Sequence, residues 1–287
     1  MLKKVNRKAM IIRDSGRSSD YITPSFGFGC VYQCSYCYMR RHVPKGVTIA
    51  KNTQEIIDAI DNHLNNLPWP KEPNQTHKKY YTYDFSCNED YVRHASYHDW
   101  ETLFDYFKYN DKILGTAATK YVNKNLLRYN ANYKVRIRFS LMPQELSDIH
   151  EPHTTKIIDR IKAVNDFYDA GYDVHINYSP VIVYNNSKKA YTELFELVDT
   201  YVRDDIKDKV KCEVIFVTHN KKMHEYNLTH NKEAEQHLWQ PRKQETKTSK
   251  YGNINIRYNY RLKRHYINRF MNLHHKIVPW QKIRYIF

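Results

Sequence analysis

The run Val135–Leu141 sets Val135, Ile137, Phe139 and Leu141 against Arg136, Arg138 and Ser140, one residue in two. In Val174–Ser179, Val174, Ile176 and Tyr178 likewise alternate with His175, Asn177 and Ser179. A period of two places each set on one face of a strand. Between these runs lies a helical stretch, Thr154–Ala170, with Ile157, Ile158, Ile161, Val164, Phe167 and Tyr168 on one side. Strands of a flat parallel sheet covered on both faces read as apolar throughout. Alternating strands joined by helices instead imply a curled sheet, whose apolar set meets the helices and whose polar set lines a lumen. A lumen carrying Arg, His, Asn and Ser is expected to be wet and functional.

Six strand-like runs occur in all: Ser25–Gly29, Tyr80–Ser86, Ile113–Thr119, Val135–Leu141, Val174–Ser179 and Cys212–Thr218. Helical patterns fall between them; Gly171 sits where a left-handed C-terminal cap belongs, and Lys189–Val202 carries Leu194, Phe195, Leu197 and Val198. Strand–helix repeats of this kind give parallel strands and right-handed crossovers. A full eightfold barrel takes about 250 residues, and this chain has 287 with a distinct C-terminal region. The expected fold is therefore α/β: a partial (β/α)6 TIM-like barrel over 1–240, and a C-terminal α/β extension over 241–287. Within the extension Tyr251–Tyr260 and Ile283–Phe287 read as strands and Lys263–Leu273 as helix. The extension is expected to pack on the barrel as part of the substrate site.

No apolar run approaches the roughly 20 residues of a membrane span, and the basic start Met1–Lys8 has no apolar stretch behind it. The expectation is a cytoplasmic protein with no membrane partner. The five cysteines are unevenly placed, three within eight residues and then Cys87 and Cys212. That distribution argues against a disulfide framework and for a metal or cofactor site plus two free thiols. The net charge of +15 favours polyanions, and 26 tyrosines offer faces for unpaired bases. A composition rich in Lys, Asn and Tyr also follows from a low-GC coding sequence, so charge alone does not decide function.

The sharpest chemical signal is Gly27-Phe28-Gly29-Cys30-Val31-Tyr32-Gln33-Cys34-Ser35-Tyr36-Cys37-Tyr38. Spacings of three and two residues let one tight loop aim Cys30, Cys34 and Cys37 at a common centre. Three thiolates on a four-iron cluster leave one iron open to another ligand. The alternative is a zinc site made of the triplet and His42, although small zinc modules usually bring two Cys pairs.

With these residues in view, the sequence resembles the radical S-adenosylmethionine superfamily and, more narrowly, the spore photoproduct lyase family in its branch outside spore formers. The resemblance rests on Gly29–Tyr38, Tyr83–Asp90, Ala118–Val122, Arg136–Pro143, Glu151-Pro152 with Arg160, Ala170–Tyr172, Ser179–Val181, Glu213–Asn220 and Ile283–Phe287. It implies a [4Fe–4S] cluster on Cys30, Cys34 and Cys37, S-adenosyl-L-methionine as cofactor, and cleavage of a methylene-bridged thymine dimer in DNA. It also implies a monomer fed by a low-potential donor such as flavodoxin or ferredoxin. By the same resemblance Cys87 is the hydrogen donor, while Tyr36 and Tyr38 carry the radical back towards the cofactor. Tyr38, Lys120 and Ser140 contact that cofactor, and Lys250 with Tyr251 stands where an Arg-Tyr pair meets the lesion. Lys keeps the charge of that Arg but loses its bidentate fork.

A second departure is Glu89, which replaces a small hydroxyl residue two positions after the donor cysteine. His175, Asn177 and His219 have no matched role. Two other readings stay open: radical chemistry on a different nucleic-acid base, and a non-catalytic metal-containing nucleic-acid-binding protein.

Overall fold

The structure is a computed structural model, and it describes residues 2–40, 46–248, 252 and 254–287. In it Val135, Ile137, Phe139 and Leu141 are at most 1% exposed and belong to one hydrophobic core. Their strand is central in an eight-stranded sheet whose six inner parallel strands follow one another in chain order.

The chain opens with β1 (Leu2–Val5), β2 (Arg13–Asp14), β3 (Tyr21–Ile22) and β4 (Gly27–Phe28), followed by β5 (Val47–Ala50) and helix α1 (Thr53–Leu64). Strand β6 (Tyr81–Asp84) leads into α2 (Tyr91–His94) and α3 (Trp100–Tyr109), then β7 (Ile113–Thr119) and β8 (Val135–Leu141). After these come α4 (Gln144–His150), α5 (Ile157–Asp169), β9 (Asp173–Val181), α6 (Ser187–Tyr201) and β10 (Cys212–Phe216). The order across the main sheet is β3, β6, β7, β8, β9, β10, all parallel. This is a partial (β/α)6 TIM-like barrel. Strand β2 caps one edge, antiparallel to β3.

The remaining elements are β11 (Thr218–His219), α7 (Lys221–His230), α8 (Lys232–Leu238), β12 (Gln244–Thr248), β13 (Ile254–Tyr258), α9 (Tyr260–Ile277) and β14 (Ile283–Ile286). Strands β11, β13 and β12 form a separate antiparallel sheet, whereas β14 runs parallel to β10 and extends the barrel sheet. No helix among the described residues is long and apolar enough to cross a membrane.

Two details depart from the sequence reading. Ser25–Gly29 is not the first barrel strand. Its Gly27-Phe28 core pairs antiparallel with β5 in a sheet shared with β1, and Tyr21–Ile22 takes the barrel position. The β7–β8 crossover carries only a 3-10 turn, Lys124–Arg128. The polar lumen carries a web of paired charges. Buried Arg138 donates to Asp84 Oδ2 at 2.5 Å, Glu213 Oε2 at 3.1 Å and Thr116 Oγ1 at 2.9 Å. Arg136 donates to Asp173 Oδ2 at 2.7 Å, and Arg284 of β14 also reaches Glu213. Burial alone would raise Glu213, but Arg138 and Arg284 outweigh it and hold its pKa at about 2. A buried charge is tolerated only with such partners.

Helix α5 ends as its sequence indicates. Gly171 has φ +88°, its N–H donates to Tyr168 O at 2.9 Å, and Tyr172 N–H donates to Phe167 O at 3.0 Å. Those two bonds make a Schellman cap, which a residue with a Cβ adopts only at a cost.

Candidate active site

The barrel positions the chemistry at the C-terminal ends of its strands, where such folds build their sites. After β4 the chain turns at Gly29, with φ +99°, and a Cβ there would stand 2.8 Å from the carbonyl oxygen of Gly46. This close approach brings Cys30, Cys34 and Cys37 near one another: Cys34 feels the charge of both other thiols, and Cys30 that of Cys37. Burial pushes all three thiols up, Cys30 to about 12. Other groups oppose that rise. The N–H groups of Tyr32 and Asp90 face Cys30 Sγ, those of Met39 and Arg40 face Cys37 Sγ, and Lys120 draws Cys34 and Cys37 down. Buried thiols already met by N–H donors and a cation fit a metal–sulfur group, because a bound cation supplies the charge that makes thiolates stable there.

Ser35 fastens the loop to α4: its N–H donates to His150 O at 2.9 Å, and its Oγ lies 2.7 Å from His150 Nδ1. The Tyr36 hydroxyl donates to Glu151, a carboxylate that is fully enclosed. Arg160 Nη1 holds Glu151 Oε2 at 2.9 Å, Ser147 Oγ lies at 3.3 Å, and Lys120 Nζ stands 3.9 Å from Oε1. Burial would lower Lys120, but Glu151 and Cys34 outweigh it, so its pKa is raised and it stays a cation.

Cys87 follows β6, and Arg13 Nη2 donates to its Sγ at 3.3 Å. Burial and then Asp84 push this thiol up, with Arg13 and Tyr38 pulling against them, and the net shift is upward. At neutral pH it therefore carries its hydrogen. The Tyr38 hydroxyl donates to Asn88 Oδ1 at 2.8 Å, next to it in the chain. Asn88 has φ 75° and its Nδ2 donates to Ser25 Oγ at 2.7 Å, which fixes the bend that presents Cys87. Asn tolerates this left-handed conformation better than most residues.

Tyr36, Tyr38, Cys87 and Arg13 line one wall of a cavity of about 870 Å³. His219, Trp239, Ile254 and Ile256 line the same cavity, so residues of the C-terminal antiparallel sheet border it. Lys120 Nζ lies over the Tyr36 ring, 5.7 Å from its centroid. Buried Ser140 gives its carbonyl to Arg160 Nη1 at 2.8 Å, and its Oγ accepts from Asn177 Nδ2 at 3.5 Å. Lys250, Tyr251 and His42 lie outside the described residues. Glu89 turns inward: His94 Nδ1 lies 3.0 Å and His98 Nε2 2.9 Å from its Oε2. Burial would raise Glu89, but His98 and His94 outweigh it and keep it ionised.

Arg13, Trp239 and the enclosure of Glu151 escaped the sequence reading. Nothing in the pattern around Arg13 points to a partner far along the chain, whereas Glu151-Pro152 with Arg160 was visible only as part of the resemblance.

A family model described as spore photoproduct lyase matches residues 4–287. The chain belongs to the spore photoproduct lyase family. Two curated members of the family are similar to it. The spore photoproduct lyase of Bacillus subtilis is 27% identical over 214 residues, 73% of this chain and 59% of that protein. That of Clostridium acetobutylicum is 27% identical over 183 residues, 62% of this chain and 52% of that protein. The matched stretch thus spans less than two thirds of either relative.

Solved structures of spore photoproduct lyases share the fold. One, complexed with dinucleoside spore photoproduct, has TM-score 0.86 and 20% identity, covering 100% of this chain and 82% of that one. Another, a variant with bound AdoMet and dinucleoside spore photoproduct, has TM-score 0.85 and 18% identity at the same coverage.

Proposed function

We propose that the chain is a radical S-adenosylmethionine lyase that opens a methylene-bridged thymine dimer in DNA. The observation that carries this reading is a protonated Cys87 on the same cavity wall as Tyr36 and Tyr38 of the cysteine loop. Family membership and the dinucleoside lesion bound by its solved relatives support it.

In this reading Cys30, Cys34 and Cys37 hold a [4Fe–4S] cluster, Lys120 meets the carboxylate of S-adenosyl-L-methionine, and Ser140 contacts the same cofactor. Bound there, cluster and cofactor would supply the one-electron chemistry that removes a hydrogen atom from C6 of the lesion. The protein's own groups govern the later steps. Once the bridge opens, a carbon radical remains on one thymine, and the weaker S–H bond of Cys87 gives it a hydrogen atom. Tyr38 returns a hydrogen atom to the resulting thiyl. Tyr36, hydrogen-bonded to Glu151, would then replace the hydrogen atom lost by Tyr38 and recover its own from 5′-deoxyadenosine, so that the radical returns to the cofactor.

Lys250 and Tyr251 serve the lesion, and basic residues hold flanking phosphates, consistent with the net charge of +15. A dimer within a duplex has to be brought out of the stack to reach such a cavity. We read the protein as a cytoplasmic monomer reduced by a low-potential flavodoxin or ferredoxin.

Anaerobic incubation of cluster-loaded protein with the dinucleoside lesion should release two thymidines per lesion. No repair by a sample with verified iron and sulfide overturns the proposal. If 5′-deoxyadenosine appears with other nucleic acid while the dimer stays intact, the substrate is a different base. A colourless protein with zinc and no iron would mark a non-catalytic binding module instead.

A further inference from the structure

Behind the cysteine loop, β11, α7 and α8 bring His219, His224 and Glu235 to one point. Glu235 Oε1 lies 2.9 Å from His219 Nε2 and 2.6 Å from His224 Nδ1, and the three ligand atoms all lie within 4.8 Å of one another. We propose that this trio is a second metal site, for one Zn²⁺ ion, separate from the cysteine triplet.

The donor set selects the metal. Two imidazoles and one carboxylate match zinc sites that keep a fourth position for water. Calcium and magnesium demand more oxygen ligands than the trio offers. Two donors on a tetrahedral zinc at about 2.0–2.1 Å stand about 3.3 Å apart. The observed separations of 2.9 and 2.6 Å therefore have to open by about 0.4 and 0.7 Å as the ion replaces the shared protons.

Two ligands are already oriented from behind, as ligands of metal sites are. Asn227 Nδ2 donates to Glu235 Oε2 at 2.7 Å, and the His224 ring lies flat on Trp239, centroids 3.8 Å apart at 12°. Without an ion, both imidazoles crowd one carboxylate oxygen. His224 is the member open to solvent, which gives the ion its way in and its water ligand.

The site has a structural consequence for the cofactor loop. Asn227 Nδ2 also donates to the carbonyl of Ser35 at 2.9 Å, between Cys34 and Tyr36. An ion on Glu235 therefore fastens α7 and α8 to the loop that carries the triplet.

The test is metal analysis of the cluster-loaded protein, equilibrated with zinc and then passed over a chelating resin. The expected content is about one zinc beside about four irons per chain. Because zinc also binds bare thiols, the same measurement is made on the Cys30→Ala/Cys34→Ala/Cys37→Ala variant, which should lose iron and keep zinc. Glu235→Gln and His224→Asn should each lose zinc. As a check that does not depend on those variants folding well, zinc should raise the thermal midpoint of the triple-alanine protein, and chelator should reverse the rise.

A triple-alanine protein that takes up no zinc overturns the site, as does undiminished zinc in Glu235→Gln and His224→Asn. Zinc content is read independently of lesion repair, so failure here and failure of the lyase reading are distinguishable.

Discussion

Arg13 Nη2 and Cys87 Sγ are 3.3 Å apart although 74 residues separate them in the chain. The guanidinium comes from β2, the antiparallel edge strand, and opposes the rise that burial and Asp84 impose on the thiol. Replacing it with a neutral side chain should leave the thiol harder still to ionise. In Arg13→Gln the pH midpoint for alkylation of Cys87 should move upward from the wild-type value. A downward move would show that Arg13 does not act on the sulfur.

Cys87→Ala should separate the early steps from the last. Cleavage of S-adenosylmethionine in the presence of lesion should continue, while thymidine recovery falls by at least about tenfold, since the opened product loses its hydrogen source. Chromatography of both products from one reaction decides it. Normal thymidine recovery would remove Cys87 from the chemistry.

Glu151 and Arg160 form an ion pair at 2.9 Å with both side chains fully enclosed. Removing one partner strands the other charge, at a cost of about 3–5 kcal/mol. Arg160→Met should lower stability on that scale in urea unfolding, and should also weaken the hold of Glu151 on Tyr36. A loss under about 1 kcal/mol would mean that solvent reaches the carboxylate.

A Cβ on Gly27 would lie 2.3 Å from the Glu89 carboxylate, which His94 and His98 hold in place. Gly27→Ala should therefore destabilise by about 1–3 kcal/mol through overpacking. The same change in a Glu89→Ala background should cost much less, because the obstructing atoms are gone. Strictly additive effects in this double-mutant cycle would contradict the contact.

His150 touches Ser35 of the cysteine loop, and burial, followed by the neighbouring His237, lowers its pKa from 6.5 to about 3. Between those values the unfolded chain takes up a proton that the folded protein refuses. Its contribution to stability is thus complete above about pH 6.5 and is lost as pH falls towards 3. The slope for one such group is about 1.4 kcal/mol per pH unit. His150→Gln should lose less stability than wild type between pH 6 and pH 4 by roughly that slope. Parallel stability–pH curves would show that His150 is not held neutral.

Local sequence sets most of the strand–helix alternation, the apolar faces of β8 and β9, the Gly171 cap and the cysteine spacing. Each of these is set by residues a few positions apart, through side-chain direction on a strand or helix and the backbone freedom of glycine. Only the tertiary structure decided that Tyr21–Ile22 rather than Ser25–Gly29 opens the barrel, because two-residue strands carry almost no periodic signal and their pairing depends on register. It also decided that Arg138 meets Asp84 and Glu213, so that charges of the lumen neutralise one another. The same holds for Arg13 beside Cys87 and for Glu235 between His219 and His224. A charge finds its partner wherever the fold brings an opposite group out of water, and that meeting is fixed by how the strands line up, not by neighbours in the chain.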